Sequence, residues 1–412
     1  MCSWGFSAAV DYFNRQGKTV YSCSMDLSKA FDMVEWVGLF NRLLERKVSP
    51  IFLRVLLHVY SNQSCDVRWN GQFSDKFPVT NGVRQGMQSS GLCFNLVVND
   101  LIEKIRHQDI GLKICGRFLG IWVYCDDIIV ASASRLGLQS MVTVCETFAS
   151  ANNMKFSTNV NPVKSKTKCI IFTKNPANKA GVDKIVLNGD PLPWVEKVKH
   201  VGNILECDNS FTQDCQIKRG QFIGKIHSLN QEFYCATSNV KTALYSIFTL
   251  SFYGSSLWNL FGPEVERIYK SYNVAIRIAF KVNRTTRTFL IEPMTETHHP
   301  HTLLSSRFVK FHQTNLTCRK PSINMLAKLF ENDLRTTYGN NLRKIAILCD
   351  TNVRDLSPLS VKSNVRYKQL PEDEEWRIPV LTEMMFARDN NIEIEGLSRR
   401  DINDVINYIC TI

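Results

Sequence analysis
The sequence contains no C-x-x-C pair, and none of its Cys and His residues fall at zinc-finger spacing. This excludes a structural zinc site built from neighbouring ligands and a thioredoxin-type redox pair. The 14 cysteines are scattered, which reads as reduced, mostly buried thiols of an intracellular protein. His298, His299 and His301 cluster around Pro300 with no cysteine near them, so a metal site is not expected there. No signal peptide, basic import tract or internal repeat is visible. Long apolar runs are scarce as well. The stretch from Thr242 to Pro263 is free of charge and has the length to span a bilayer. It carries Ser246, Thr249, Ser251, Ser255, Ser256 and Asn259, however, and is expected to be a buried helix of a soluble domain, with no membrane contact.

What is present is an excess of positive charge. The 50 Lys and Arg against 38 Asp and Glu leave +12, a balance that favours a polyanionic partner, most simply nucleic acid. Hydrophobic residues make up 44% of the chain, enough to bury a core in two or three domains.

The first 175 residues mix strands and helices as an α+β unit. A short apolar-periodic piece (Ala8, Ala9, Val10, Phe13) precedes a strand from Thr19 to Met25 that ends in Asp26. Helical spacing follows over Val34–Arg46 and Ile51–Tyr60. Cys65 to Val79 alternates around Asn70-Gly71, a strong two-residue hairpin signal. A loop at residues 81–86 leads into a helix over about Ser90–Arg106. A second hairpin runs from Ile110 to Ala133 with Cys125-Asp126-Asp127 at its turn, then a helix over Arg135–Asn152 and a strand over Lys168–Thr173. Short strands around Ile185 and Val198 lead into long helices at roughly 210–234, 239–260 and 263–282. Residues 349–376 are polar, contain Pro358 and Pro371, and read as a linker. Helices are expected from Trp376 and from Ser398, the latter with Ser398 and Asp401 as a capping box and Ile402, Val405, Ile406 and Ile409 as a core-facing stripe.

Several residues carry chemistry. Asp126 and Asp127 are adjacent carboxylates in a tight turn between apolar strands, and such a pair is costly unless a cation neutralises it. Asp26 supplies a third acid at the end of another strand, the layout a two-metal phosphoryl-transfer site needs. An ordinary helix cap at Asp26 and a solvated Asp-Asp turn are the alternatives. Phe31 lies five residues beyond Asp26, where a ring can border a nucleotide sugar. In Asn81-Gly82-Val83-Arg84-Gln85-Gly86, glycine permits close backbone approach, and Arg84 and Gln85 have the reach for phosphate or base. Between residues 155 and 230 there are 12 Lys and Arg against 6 Asp and Glu, either a solvated face or a surface that tracks phosphates.

The order of these features resembles the palm of a reverse transcriptase, and more narrowly the polymerases of non-LTR (LINE-type) retrotransposons. The resemblance is carried by Met25-Asp26-Leu27-Ser28-Lys29-Ala30-Phe31-Asp32, residues 81–86, Phe94-Asn95-Leu96, Tyr124-Cys125-Asp126-Asp127 and the Asn161 to Lys164 spacing. Lys199-His200-Val201-Gly202-Asn203 resembles the primer grip of that family, and Tyr253-Gly254 with Leu257-Trp258 its helical thumb. The resemblance implies an α+β right-hand polymerase palm, an antiparallel sheet with packed helices, followed by a helical thumb and a small helical C-terminal region. Residues 1–16 would be a remnant of the fingers or a connecting helix, 17–206 the palm, 207–315 the thumb and 316–412 the tail. It also implies that Asp26, Asp126 and Asp127 hold two Mg²⁺ ions and that Phe31 is a steric gate favouring deoxyribose. Gln85 and Gly86 would contact nucleotide and template with support from Arg84, and Lys164 would sit near the triphosphate. RNA template, DNA primer and dNTPs are the implied partners, and nuclear DNA the implied place of action. Gly91 stands where the family usually has Pro, and Cys125 where it often has Ala. Asp26 lies about 25 residues from the first residue, so an N-terminally truncated element lacking fingers and endonuclease is expected. Two rivals stand beside RNA-directed DNA synthesis: a catalytically silent nucleic-acid-binding relic and a two-metal nuclease.

Overall fold
In the computed structural model Val20–Asp26 forms a strand (β1) at the centre of a five-stranded sheet. The structure describes residues 1–412 except 85, 88, 160, 162, 163, 296, 297, 366–376, 391, 393, 395–398 and 412. The chain divides into two units: residues 2–201 with 205–209, and residues 1, 202–204 and 210–412.

In the first unit the helices are α1 (Cys2–Arg15), α2 (Trp36–Glu45), α3 (Pro50–Ser61), α4 (Ser90–His107) and α5 (Arg135–Ala151). The sheet adds β2 (Ile121–Tyr124), β3 (Asp127–Ser132), β4 (Lys168–Phe172) and β5 (Trp194–Val195), in the order β5-β4-β1-β3-β2. All neighbours are antiparallel except β4 and β5. The period of two explains the sheet, and the period of 3.6 the helices. Cys23, Met25, Ile128 and Val130 join one core with Phe94, Val97, Val98 and Leu101 of α4 and Leu138, Met141, Val142 and Phe148 of α5. The alternate residues Ile129 and Ala131 are fully buried too, so both faces of β3 are covered. Helix α1 packs on β1 and β2, with the Phe6 ring edge-on to Phe172 of β4 at 5.5 Å. Each large apolar side chain buried in this way contributes about 1.5–3 kcal/mol. Helix α5 is capped by Ser134, whose Oγ accepts from the Gly137 N–H at 3.0 Å. The expected Asn70-Gly71 hairpin forms, pairing Trp69 with Gln72, and both turn residues have positive φ (48° and 82°).

The second unit is helical. Its first helices are α6 (Thr212–Glu232), α7 (Ser238–Phe248) and α8 (Pro263–Ala279). Buried Asp214 accepts from Lys218 Nζ (2.8 Å), Trp258 Nε1 (2.8 Å) and the Ile204 N–H (3.0 Å). The expected helix over 239–260 stops at Phe248. Phe252 (φ 37°) and Gly254 (φ 80°) turn the chain, and a Cβ on Gly254 would lie 1.8 Å from Asn203 Oδ1. The carbonyls of Leu250 and Ser251, left outside the helix, accept from Arg307 Nη1 at 2.6 and 2.9 Å. Among the described residues no helix is long and apolar enough to cross a membrane.

The reading of residues 349–376 as a linker needs correction over its described part. Val353–Asp355 is a 3₁₀ turn and Pro358–Asn364 an α-helix with a capping box at Ser357 and Ser360. Leu356, Val361 and Val365 are buried. Pro358 starts that helix, because proline suits a first turn whose N–H has no partner in any case. Residues 366–376, and Ser398 of the expected capping box, lie outside the described residues. Helices Arg377–Asn390 and Arg399–Thr411 follow, with Ile402 and Ile406 buried. His299 is a core histidine: its ring meets Tyr272 edge-on at 5.0 Å, and its Nε2 lies 3.0 Å from Asn273 Oδ1.

Candidate active site
Asp26 and Asp127 are direct cross-strand partners at the ends of β1 and β3. Tyr124 pairs with Asp127 in the next ladder, so Cys125 and Asp126 form a two-residue turn. Cys125 takes φ 52°, a region a side chain enters at a cost. Like charges placed directly opposite destabilise a sheet. The electrostatics register this. Burial pushes the Asp26 carboxyl above the usual carboxylate range; Lys166, whose Nζ lies 3.7 Å from Oδ2, pulls it back, and Asp126 adds to the rise. Burial also raises Asp127, reinforced by Asp126 and Asp26 and opposed by the Val201 N–H and by Lys199.

The strand ends are fixed by hydrogen bonds in which backbone groups take part. The Asp26 carbonyl accepts from the Ser157 N–H at 2.8 Å, and its N–H donates to Thr167 Oγ1 at 3.2 Å. The Asp127 Oδ2 accepts from the Val201 N–H at 3.2 Å. The chain after β1 carries Phe31, which stacks on Phe94 of α4 with centroids 5.0 Å apart and planes at 18°. The 81–86 loop is pinned to this segment. Gly82 N–H donates to the Val34 carbonyl and Val83 N–H to the Phe31 carbonyl, both at 2.8 Å, and Trp36 Nε1 donates to the Gly82 carbonyl at 2.8 Å. Gly82 has φ 86°, and a Cβ there would meet Asp32 backbone at 2.9 Å, so the close approach requires glycine.

The residues singled out from sequence fall as follows. Asp26, Asp126 and Asp127 meet at one end of the β1–β3 pair, and Phe31 and Arg84 sit on segments bonded to each other. Arg84 is exposed, and its carbonyl accepts from Ser90 Oγ at 2.6 Å. Gly86 is exposed with φ 89° and open space around it. Gln85 lies outside the described residues. Lys164 is exposed on a turn closed by its N–H on the Asn161 carbonyl, and the cation that reaches Asp26 is instead Lys166. Gly91 sits in the first turn of α4, where a Cβ would touch Cys125 Sγ at an ordinary 3.9 Å. Lys166 is one of the 12 basic residues between 155 and 230, and the Asn161 spacing singled out Lys164 in its place. The Val201 N–H has no residue-type signal at all.

A cation fits the donor set: two facing carboxylates and a third whose charge reaches both. Among the described residues, however, no three His, Cys, Asp or Glu side chains converge on one point as around a single bound ion.

Residues 2–204 match the family described as reverse transcriptase (RNA-dependent DNA polymerase). The chain is 25% identical over 140 residues to the retrovirus-related Pol polyprotein of the type-2 retrotransposable element R2DM of Drosophila melanogaster, covering 34% of this chain and 13% of that protein. It is 27% identical over 143 residues to the Pol polyprotein of a type-1 retrotransposable element R2 of Nasonia vitripennis, covering 34% of this chain and 14% of that protein. The match therefore spans about a seventh of these curated relatives. Telomerase from Candida tropicalis, in a complex with a telomeric RNA fragment, is similar at 13% identity, 78% coverage of this chain, 51% of that chain and a TM-score of 0.36. Residues 2–204, just under half of the chain, thus match the reverse transcriptase family, and the curated relatives they resemble are Pol polyproteins of retrotransposable elements.

Proposed function
We propose that this chain carries the polymerase centre of a non-LTR retrotransposon and performs RNA-directed DNA synthesis. The observation that carries the reading is the cross-strand pairing of Asp26 with Asp127 beside Asp126, in a segment that matches the reverse transcriptase family. In this reading Asp26, Asp126 and Asp127 hold two Mg²⁺ ions. When bound, such ions lower the pKa of a primer 3′-hydroxyl and neutralise charge on the transferred phosphate. The protein supplies orientation. Phe31, held flat on Phe94, forms the wall that excludes a ribose 2′-hydroxyl. Arg84, Gln85 and Gly86 border nucleotide and template, and Gly82 and Trp36 hold that loop in place. Lys164 and its neighbour Lys166 provide positive charge for the triphosphate, with Lys166 resting on Asp26 until substrate arrives. RNA template, DNA primer and dNTPs are the partners, with nuclear DNA as the place of action, and the +12 charge supports a polyanionic ligand.

The test is primer extension on an RNA template with Mg²⁺. Asp127→Asn is expected to lower incorporation more than about a hundredfold, since even supporting residues of metal sites reach that scale. Unchanged incorporation would remove Asp127 from the site. The second reading is RNA binding without synthesis, favoured by Gly91 at a first-turn position of α4 where proline is the residue expected. It predicts salt-sensitive RNA affinity and no incorporation in the unaltered chain.

A further inference from the structure
Val201 is a β-branched residue at φ 45°, followed by Gly202 at φ 71°. Valine in the left-handed region is a true outlier, and such strain persists only where the surroundings impose it. Two contacts explain why it is imposed here. Ahead of the strain, the Val201 N–H donates to Asp127 Oδ2 at 3.2 Å. Behind it, the buried His200 ring is held on α1: Ser3 Oγ lies 3.0 Å from His200 Nδ1 and 3.4 Å from the His200 carbonyl. His200 Nε2 has no hydrogen-bond partner among the described residues, so what fastens the ring is the Ser3 side.

We propose that Val201 is a positioning residue for Asp127: its backbone amide occupies Oδ2 and leaves Oδ1 as the oxygen that faces a cation, and the Ser3–His200 pair holds that amide in place. A carboxylate free at both oxygens can rotate and chelate one ion, whereas one held at a single oxygen offers one fixed donor. This inference rests on the reading of Asp127 as a metal-holding residue, but its geometry is tested without catalysis.

The experiment is amide hydrogen exchange at Val201 in the full chain, with no metal added, in the unaltered protein and three variants. Asp127→Ala is expected to speed exchange at Val201 about tenfold, the factor that goes with losing roughly one net hydrogen bond. Asp127→Asn, whose side-chain oxygen still accepts, should restore part of the protection, a rescue that general loosening of the fold would not give. Ser3→Ala should give an intermediate increase with Asp127 intact. The amides of Ile128 to Val130 serve as the control and should stay slow. Unchanged exchange at Val201 in Asp127→Ala overturns the proposal, and unchanged exchange in Ser3→Ala overturns the role of the His200 anchor. Mn²⁺ binding, read by electron paramagnetic resonance, completes the test: Ser3→Ala should weaken it several-fold, and equal affinity would overturn the link to the cation. Failure of primer extension with Val201 protection intact would count against the polymerase reading and leave the positioning geometry standing.

Discussion
Two tight hairpins of the first unit have the same loop length and opposite chemistry. Asn70-Gly71 joins Trp69 to Gln72, and Cys125-Asp126 joins Tyr124 to Asp127. The first uses the two residue types that enter positive φ most readily, lies on an exposed ribbon, and asks nothing further of its neighbours. The second puts cysteine at φ 52° and two acids side by side, beside a third acid across the sheet. Local rules are obeyed where only the fold is at stake and broken where acids must be held together. The compensation at the second turn comes from the β1–β3 ladder, the fully buried residues behind it, and the Val201 amide.

The sharpest way to break this comparison is to treat the two turns alike. Asp127→Asn should cost more than about a hundredfold in incorporation, whereas Asn70→Ala should leave incorporation unchanged. The next largest effect lies in the second unit, at a buried acid whose partners satisfy it. Asp214→Ala strands Lys218, and chemical denaturation should read a loss of about 3–5 kcal/mol. A loss under about 1 kcal/mol would mean that Lys218 finds water in the variant.

Acid sharpens the contrast by a different route. Burial pulls His200 and His301 down from 6.5 to about 4, and His299 and His312 move in the same direction. Such groups stay neutral in the fold and protonate first in the unfolded chain. Their contribution is therefore complete above pH 6.5 and is lost as pH falls from 6.5 towards 4, by about 3 kcal/mol for His200 alone. The raised Asp26 and Asp127 act in the opposite sense near the carboxylate range, because the fold then holds their protons more tightly. Denaturant midpoints measured between pH 7 and 4 should fall, and a His200→Gln variant should show a shallower slope. The smallest effect is at the turns themselves. Cys125→Gly should relax the positive φ and raise stability by about 1 kcal/mol, while Asn70→Ala should lower it by about 1 kcal/mol. Equal signs at the two positions would erase the distinction drawn between them.

Much of the first unit was legible because its elements are strongly periodic. Strand β1, helices α4 and α5 and the Tyr124–Asp127 turn lie within a residue or two of their expected places. The three acids were legible because carboxylates are side-chain features. The Val201 donor was not, since every residue but proline offers a backbone N–H. Lys166 was hidden among like residues, and only the placement of Ser157, Lys166 and Thr167 against Asp26 selects it. The misread linker has a similar cause: Ser357 and Pro358 serve both loops and helix starts, and buried Val361 and Val365 decide between them.

The same exposed ribbon has an optical consequence. Trp69 stands 77% exposed, whereas Trp4, Trp122 and Trp258 are at most 9% exposed. A small neutral quencher such as acrylamide should therefore extinguish the red-shifted part of the indole emission first and leave a blue-shifted remainder. Replacing Trp69 by Phe should reduce that component, so among the described residues Trp69 reports on the surface and Trp4, Trp122 and Trp258 on the core.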